Sequence, residues 1–177
     1  MVTGPSGVGK STILKEVLRR TGAVFSVSAT TRAPRPSETE DRDYKFVDQA
    51  TFEAMVQRGE MLEWAEVYGQ RYGTPARPVL EAIEAGQIVV MDIDLQGAKQ
   101  VRRKFPRATF LLIEPPGREV LAERLRRRGS ENQPQLDKRL TVARKEIAAA
   151  EASGLYNHRV VNDDLDAAIR QVVDIIR

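Results

Sequence analysis

A chain of 177 residues that is 41% hydrophobic suits one domain with its own core, and it carries no cysteine and a single histidine. Disulfides and thiol chemistry are excluded, a structural zinc site is disfavoured, and a reducing, cytoplasmic setting is expected. No run approaches the roughly 18 apolar residues of a membrane span and no signal-peptide pattern opens the chain, so no membrane partner is expected. The net charge of +3 suits either a nucleic-acid binder or an enzyme whose substrates are polyanions, and the placement of the arginines has to decide between them.

Near the start, Gly4-Pro5-Ser6-Gly7-Val8-Gly9-Lys10-Ser11, with Thr12 behind it, reads G-x-x-x-x-G-K-S. This is a phosphate-cradling loop that runs into a helix. Its glycines let successive backbone N–H groups point at one anion, and the positive end of the helix dipole adds to them. Lys10 is expected to reach the β- and γ-phosphates of a nucleoside triphosphate, and the Ser11 hydroxyl to ligate Mg²⁺. Only Met1, Val2 and Thr3 precede Gly4, whereas such a loop follows a buried strand of about 4–8 residues. A truncated start, a misplaced start and a shortened first strand all fit that pattern.

Residues 10–20 form the loop's helix, with Ile13, Leu14, Val17 and Leu18 inward and Gly22 as its C-cap. Residues 24–28 alternate as a strand. Residues 29–43 read as a loop, basic at its start in Thr30-Thr31-Arg32-Ala33-Pro34-Arg35. Residues 44–47 make a short strand, after which Asp48 caps a helix carrying Phe52, Met55 and Val56 and closed by Gly59. Residues 61–67 alternate as a strand with 70–73 as its hairpin partner. Thr74-Pro75 then serves as cap and first turn of a helix to Ala85, stopped by Gly86. The apolar run 88–91 marks a strand buried on both faces; it ends in Asp92-Ile93-Asp94, and a helix over 95–104 follows. A second buried strand spans 109–113, helices span about 116–127 and 134–152, and a last strand spans 159–161. Asp163 or Asp164 caps a terminal helix with Ile169, Val172, Val173 and Ile176 inward. Strands alternating with helices predict an α/β fold, a parallel sheet covered on both faces.

Asp92 falls at the carboxyl end of a strand, where open parallel sheets bind ligands and where an acid partners nucleotide Mg²⁺. Asp94 either shares that orientation or caps the next helix. Arg32 and Arg35 flank a stiffening proline and suit a phosphate dianion, with Tyr44 and Tyr72 as neutral donors. Glu63 stands inside an otherwise apolar strand. It is either on the exposed face or an acceptor for two hydrogens on one ligand edge, as guanine N1–H and its 2-amino group offer. Arg124, Arg126, Arg127, Arg128 and Arg139 form the densest basic group. No aromatics interleave for base stacking, and Glu123, Glu131 and Asp137 dilute the charge, so an arginine-bearing lid fits better than a nucleic-acid patch. Arg126 and Arg127 alternatively form a solvated helix face, and the lone His158 reads as a surface residue.

Assembled, these residues resemble guanylate kinase over essentially the whole chain. The resemblance is carried by residues 4–11 and by Ser26-Val27-Ser28-Ala29-Thr30-Thr31-Arg32-Ala33-Pro34-Arg35. It continues in Asp43-Tyr44, Leu62-Glu63-Trp64-Ala65, Tyr72-Gly73-Thr74, Asp92-Ile93-Asp94-Leu95-Gln96-Gly97 and Val161-Asn162-Asp163-Asp164. Each short segment is weak alone; their joint order and spacing are specific. The resemblance implies a parallel sheet of the P-loop NTPase type with helices on both faces. Its core would lie at about 1–28, 86–123 and 153–177, with a small GMP-binding insertion containing antiparallel strands at about 29–85 and a helical lid at about 124–145. It also implies Mg²⁺-dependent transfer of the ATP γ-phosphoryl group to GMP, giving ADP and GDP, with no nucleic-acid partner.

In that reading Gly4 to Thr12 bind ATP, Ser11 and Asp92 serve the metal, and Asn162 lies beside the adenine. Ser28, Glu63 and Thr74 address guanine, while Arg32, Arg35, Tyr44 and Tyr72 hold the GMP phosphate. Asp94 belongs to the GMP side, and Lys10, Arg124, Arg128 and Arg139 are catalytic. Two departures stand out: the short lead into Gly4, and Arg71 where family members often carry a second aromatic before Tyr72. A non-enzymatic interaction module of similar fold would lack the phosphate loop, which is intact here. A kinase of phosphorylated sugars would have no use for Glu63 with Ser28 and Thr74.

Overall fold

The run Phe110-Leu111-Leu112-Ile113 is buried at every position, as a strand covered on both faces must be, and it lies at the centre of a parallel sheet. The computed structural model describes residues 1–36, 38–67, 69–127 and 133–177. In chain order its elements are β1 (Val2–Thr3), α1 (Lys10–Thr21), β2 (Val24–Phe25), β3 (Ala29–Thr30), β4 (Lys45–Phe46), α2 (Gln49–Gln57), β5 (Met61–Val67) and β6 (Gln70–Pro75). Then come α3 (Ala76–Glu84), β7 (Val89–Val90), α4 (Leu95–Lys104), β8 (Leu111–Glu114), α5 (Arg118–Arg127), α6 (Gln133–Ala152), β9 (His158–Val161) and α7 (Leu165–Ile176). Two compact units result: Met1–Gly22 with Ala108–Arg177, and Ala23–Arg107. No helix among the described residues is long and apolar enough to cross a membrane.

In the first unit the sheet order is β1-β8-β9, all parallel. The strand ahead of the phosphate loop is short but real: Val2 and Thr3 register with Leu111 and Leu112. Helix α1 buries Ile13, Leu14 and Val17, with Leu18 only partly covered, and packs with α7 through Ala168, Ile169, Val172 and Val173. Gly22 ends α1 in the left-handed region (φ 69°), donating its N–H to Leu18 O. Asp164, rather than Asp163, caps α7: its Oδ1 accepts from Ala167 N at 2.7 Å. The buried acid Glu114 at the end of β8 is answered by Arg159 of β9. Arg159 donates Nε–H and an NH2 hydrogen to its two oxygens at 2.9 and 2.7 Å and also reaches Glu151. Leu121 and Leu125 of α5 pack on Leu136 and Ala143 of α6.

In the second unit β2 and β7 pair in parallel, and a four-stranded sheet runs β4-β3-β6-β5. Here the structure departs from simple periodicity. The strand expected over 24–28 is two strands: Val24 and Phe25 register with Val89 and Val90, then the chain crosses to β3 between β4 and β6. The expected loop therefore loses Ala29 and Thr30, both fully buried. Small residues are needed there because Phe52, Met55 and Met61 close over Ala29. The apolar run 88–91 is buried only at Val90 and Met91, with Ile88 45% exposed. Thr74 is no helix cap: it lies in β6, α3 begins with Pro75 at its cap position, and no side chain caps it. Asp48 does cap α2, accepting from Thr51 N at 2.6 Å. Helix α4 covers the outer edge of β5. Gln100 accepts from Trp64 N (3.2 Å) and donates to Trp64 O (2.6 Å), and Lys104 Nζ donates to Leu62 O (2.5 Å), a guard for an otherwise unpaired strand edge.

Phe52 is wholly buried and meets Trp64 edge-on at 6.4 Å between centroids. Phe52→Ala is expected to cost about 3–5 kcal/mol, measured by denaturant unfolding at unchanged slope.

Candidate functional site

The phosphate loop belongs to the first unit. Gly7 (φ 87°) and Gly9 (φ 99°) hold left-handed backbone, a conformation glycine adopts without strain. Both also sit against neighbours: a Cβ on Gly7 would come within 2.7 Å of Leu125 Cδ2, and one on Gly9 within 2.5 Å of Asn162 Nδ2. Val8, fully buried, anchors the loop, and its carbonyl accepts from Asn162 Nδ2 at 2.7 Å and from Arg124 NH1 at 3.4 Å. Lys10 Nζ donates to Gly4 O at 2.6 Å, so the ammonium lies over the turn of the loop. Ser11 and Thr12 are exposed on the first turn of α1, while Pro5 is buried and Ser6 exposed. Asn162 is 3% exposed and donates its backbone N–H to Glu114 O at 2.8 Å; its amide grips the loop from the end of β9. Arg139 is half-buried on α6. Arg128 lies outside the described residues.

The second unit gathers the others into two clusters. In the first, Glu63 of β5 is 4% exposed and its Oε1 accepts from Thr74 Oγ1 at 2.6 Å; Thr74 Oγ1 is 3.5 Å from Ser28 Oγ. Register explains the first contact, because Glu63 lies directly opposite Thr74 in the antiparallel pair. Glu63 Oε2 rests against Gly97 so closely that a Cβ there would collide with it; this is why the first turn of α4 carries a glycine. Burial pushes the Glu63 carboxyl up to about 7, opposed by the Thr74 hydrogen bond and aided by the Asp94 charge.

In the second cluster, Arg32 Nε–H donates to Tyr72 Oη at 3.2 Å, and its guanidinium lies 5.5 Å from the Tyr44 ring centre. Tyr44 and Tyr72 meet edge-on at 5.9 Å. Burial, then the Asp92 charge, pushes the Tyr44 phenol up to about 12, so it stays a hydrogen-bond donor at neutral pH. Arg35 is exposed and Asp92 half-buried. Asp94 caps α4, its Oδ1 accepting from Gly97 N at 2.8 Å. Its orientation is that of a cap, because β7 ends at Val90 and no strand persists to align it with Asp92.

Two neighbours of these candidate residues escape the sequence reading. Glu38 joins Arg32 and Arg35 on one carboxylate, and its signal was an acid three residues beyond Arg35 in a basic loop. The close approach of Gly97 to Glu63 had no local signal.

The guanylate kinase family profile matches residues 1–177. Guanylate kinase of Gloeobacter violaceus is 50% identical over 173 residues, spanning 97% of this chain and 83% of that protein. Guanylate kinase of Nocardia farcinica is 47% identical over 178 residues, spanning 99% and 91%. The crystal structure of guanylate kinase from Anaplasma phagocytophilum superposes with a TM-score of 0.77 at 33% identity, covering 99% of this chain and 82% of that one.

A carboxyl raised in the fold disfavours the folded state once ionised. Stability is therefore expected to fall as pH rises from the ordinary carboxylate value of 4.5 toward about 7. Glu63→Gln removes that dependence. Unfolding free energies of variant and parent should be similar near about pH 4–5 and differ in the variant's favour by on the order of 2–3 kcal/mol near about pH 8. A pH-independent difference would contradict the assignment.

Proposed function

The chain belongs to the guanylate kinase family, and from that premise we propose how its residues transfer the γ-phosphoryl group of ATP to GMP, yielding ADP and GDP. The observation that carries the acceptor assignment is the buried Glu63 carboxylate held by Thr74. An ionised carboxylate there accepts guanine N1–H and the 2-amino hydrogen together. Adenine offers one donor, its 6-amino group, and turns a bare N1 lone pair toward the second oxygen of the ionised carboxylate, so one of the two bonds is replaced by repulsion. Ser28 and Thr74 extend the same hydroxyl chain toward the base. Arg32, Arg35, Tyr44 and Tyr72 take the GMP phosphate as a cationic and phenolic cradle, and Asp94 fixes the first turn of α4 beside Glu63.

On the donor side, the loop from Gly4 to Thr12 cradles the ATP phosphates with its N–H groups at the α1 N-terminus, Lys10 reaches the β- and γ-phosphates, and Asn162 keeps the loop in shape on the adenine side. Ser11 offers a hydroxyl and Asp92 a carboxylate, both hard oxygen donors that suit Mg²⁺. When bound, that ion neutralises phosphate charge. The GMP phosphate is already ionised near neutral pH, so its oxygen attacks the γ-phosphorus without a general base while the bond to the bridging oxygen of ADP breaks. The obstacle is repulsion between two polyanions. Catalysis is accordingly positioning and neutralisation, with Lys10, Arg124, Arg128 and Arg139 supplying protein charge. A cysteine-free chain supports action in the reducing cytoplasm.

A coupled assay of ADP formation against GMP, AMP, UMP and CMP tests this reading. GMP-dependent turnover is expected; ATP turnover that ignores GMP would contradict it. Lys10→Ala should abolish most turnover while GMP still binds. Glu63→Gln should cut discrimination between GMP and AMP by roughly 1–3 kcal/mol.

A further inference from the structure

An acid, Glu38, lies within the proposed phosphate cradle. The Glu38 side chain is 12% exposed and faces Arg32 and Arg35. Its Oε1 and Oε2 accept from Arg32 NH2 at 2.8 and 2.9 Å, and Oε2 also accepts from the Arg35 backbone N–H at 2.8 Å. The Arg35 guanidinium lies further off, with NH1 3.6 Å from Oε1, and its side chain is 62% exposed.

Arg32 is held on nearly every side. Its Nε–H donates to Tyr72 Oη at 3.2 Å, NH1 to Ala33 O at 2.6 Å and NH2 to Glu38. Its face lies by the rings of Tyr44 and Phe46, at 5.5 and 5.9 Å. A guanidinium engaged in this way is an oriented part of the wall. Because the Tyr72 oxygen receives the Arg32 Nε–H, the phenol's own O–H remains for another acceptor. The Glu38 bond to the Arg35 backbone closes the turn that carries the exposed Arg35 side chain.

We propose that Glu38 is a positioning residue of the acceptor-phosphate subsite: one carboxylate locks Arg32 and the Arg35 backbone so that the Tyr72 hydroxyl and the Arg35 guanidinium converge on the phosphate of GMP. The proposal rests on the cradle assigned under Proposed function. Charge alone acts with the opposite sign, since removing an anion beside a phosphate dianion strengthens binding. Orientation decides here. Without Glu38 the two NH2 bonds of Arg32 and the turn at Arg35 are lost together, and both side chains must be ordered at the moment GMP binds.

The test is calorimetric binding of GMP and of guanosine to the whole chain, its Glu38→Gln variant and its Glu38→Asp variant. Glu38→Gln is expected to weaken GMP about tenfold and to leave guanosine unchanged, because only the phosphate reads Arg35 and Tyr72. Glu38→Asp, which keeps the charge on a shorter arm, should fall between parent and Gln variant. Unchanged or tighter GMP binding by Glu38→Gln would overturn the proposal and make Glu38 a counter-ion that the phosphate displaces. Equal losses for GMP and guanosine would overturn it in favour of a general role in the fold. A parent chain that binds guanosine as tightly as GMP would instead overturn the cradle itself.

Discussion

A carboxylate buried in the middle of an apolar strand is the constraint around which the second unit is arranged. Burying an ionisable group costs free energy unless it is paired, yet among the described residues no cation is bonded to Glu63, which is held by Thr74. Its neighbours are adjusted to it. Thr74 lies opposite in the β5–β6 register. Gly97 removes the Cβ that would collide with Glu63, and Asp94 caps the same turn so that the helix can begin there. Gln100 and Lys104, further along α4, fasten that helix to the backbone of β5. The residual cost shows as a carboxyl raised to about 7. A sheet built for stability alone would place an apolar residue at this position; the proposed guanine pocket is what requires the acid.

The first unit obeys a different constraint, close backbone approach. Gly4 passes so near the carbonyl of Ile113 that a side chain would collide with it. The loop that follows is shaped by left-handed glycines and held at Val8 by Asn162 and Arg124. The central strand β8 makes this possible by pairing on both edges, with β1 on one side and β9 on the other. Asn162, just beyond β9, braces the loop at Val8, while Arg159 of β9 ties down the buried Glu114 at the end of β8.

Much of this was legible in the sequence where the signal is local. The phosphate loop, the caps at Asp48 and Asp164, the β5–β6 hairpin and the helix over 95–104 each follow from spacing within one turn or one pair of strands. The misses are non-local. The division of 24–30 between two sheets depends on which strands lie alongside, and Thr74 reads as a helix cap until its cross-strand neighbour is known to be an acid. Asp94 was legible as cap or ligand partner, and the geometry that makes it a cap is the end of β7 at Val90. Glu38 went unremarked because an acid in a polar loop is ordinary until both arginines are found on it. The residues alone already suited Arg32 and Arg35 to a phosphate and left Glu63 between an exposed face and a guanine edge; the family resemblance added the expectation that Glu63 takes the second.

With its carboxyl raised to about 7, Glu63 is partly protonated in the folded chain near neutral pH, and in the proposed reading it gives up that proton to meet guanine. Proton exchange on GMP binding, measured calorimetrically near about pH 6.5 in buffers of different ionisation enthalpy, tests this directly. The Glu63→Gln variant serves as the reference for protons that come from the phosphate. The parent is predicted to release more protons than the variant, by a sizeable fraction of one proton per site. Equal release by the two would contradict the claim that recognition of the base ionises this buried carboxyl.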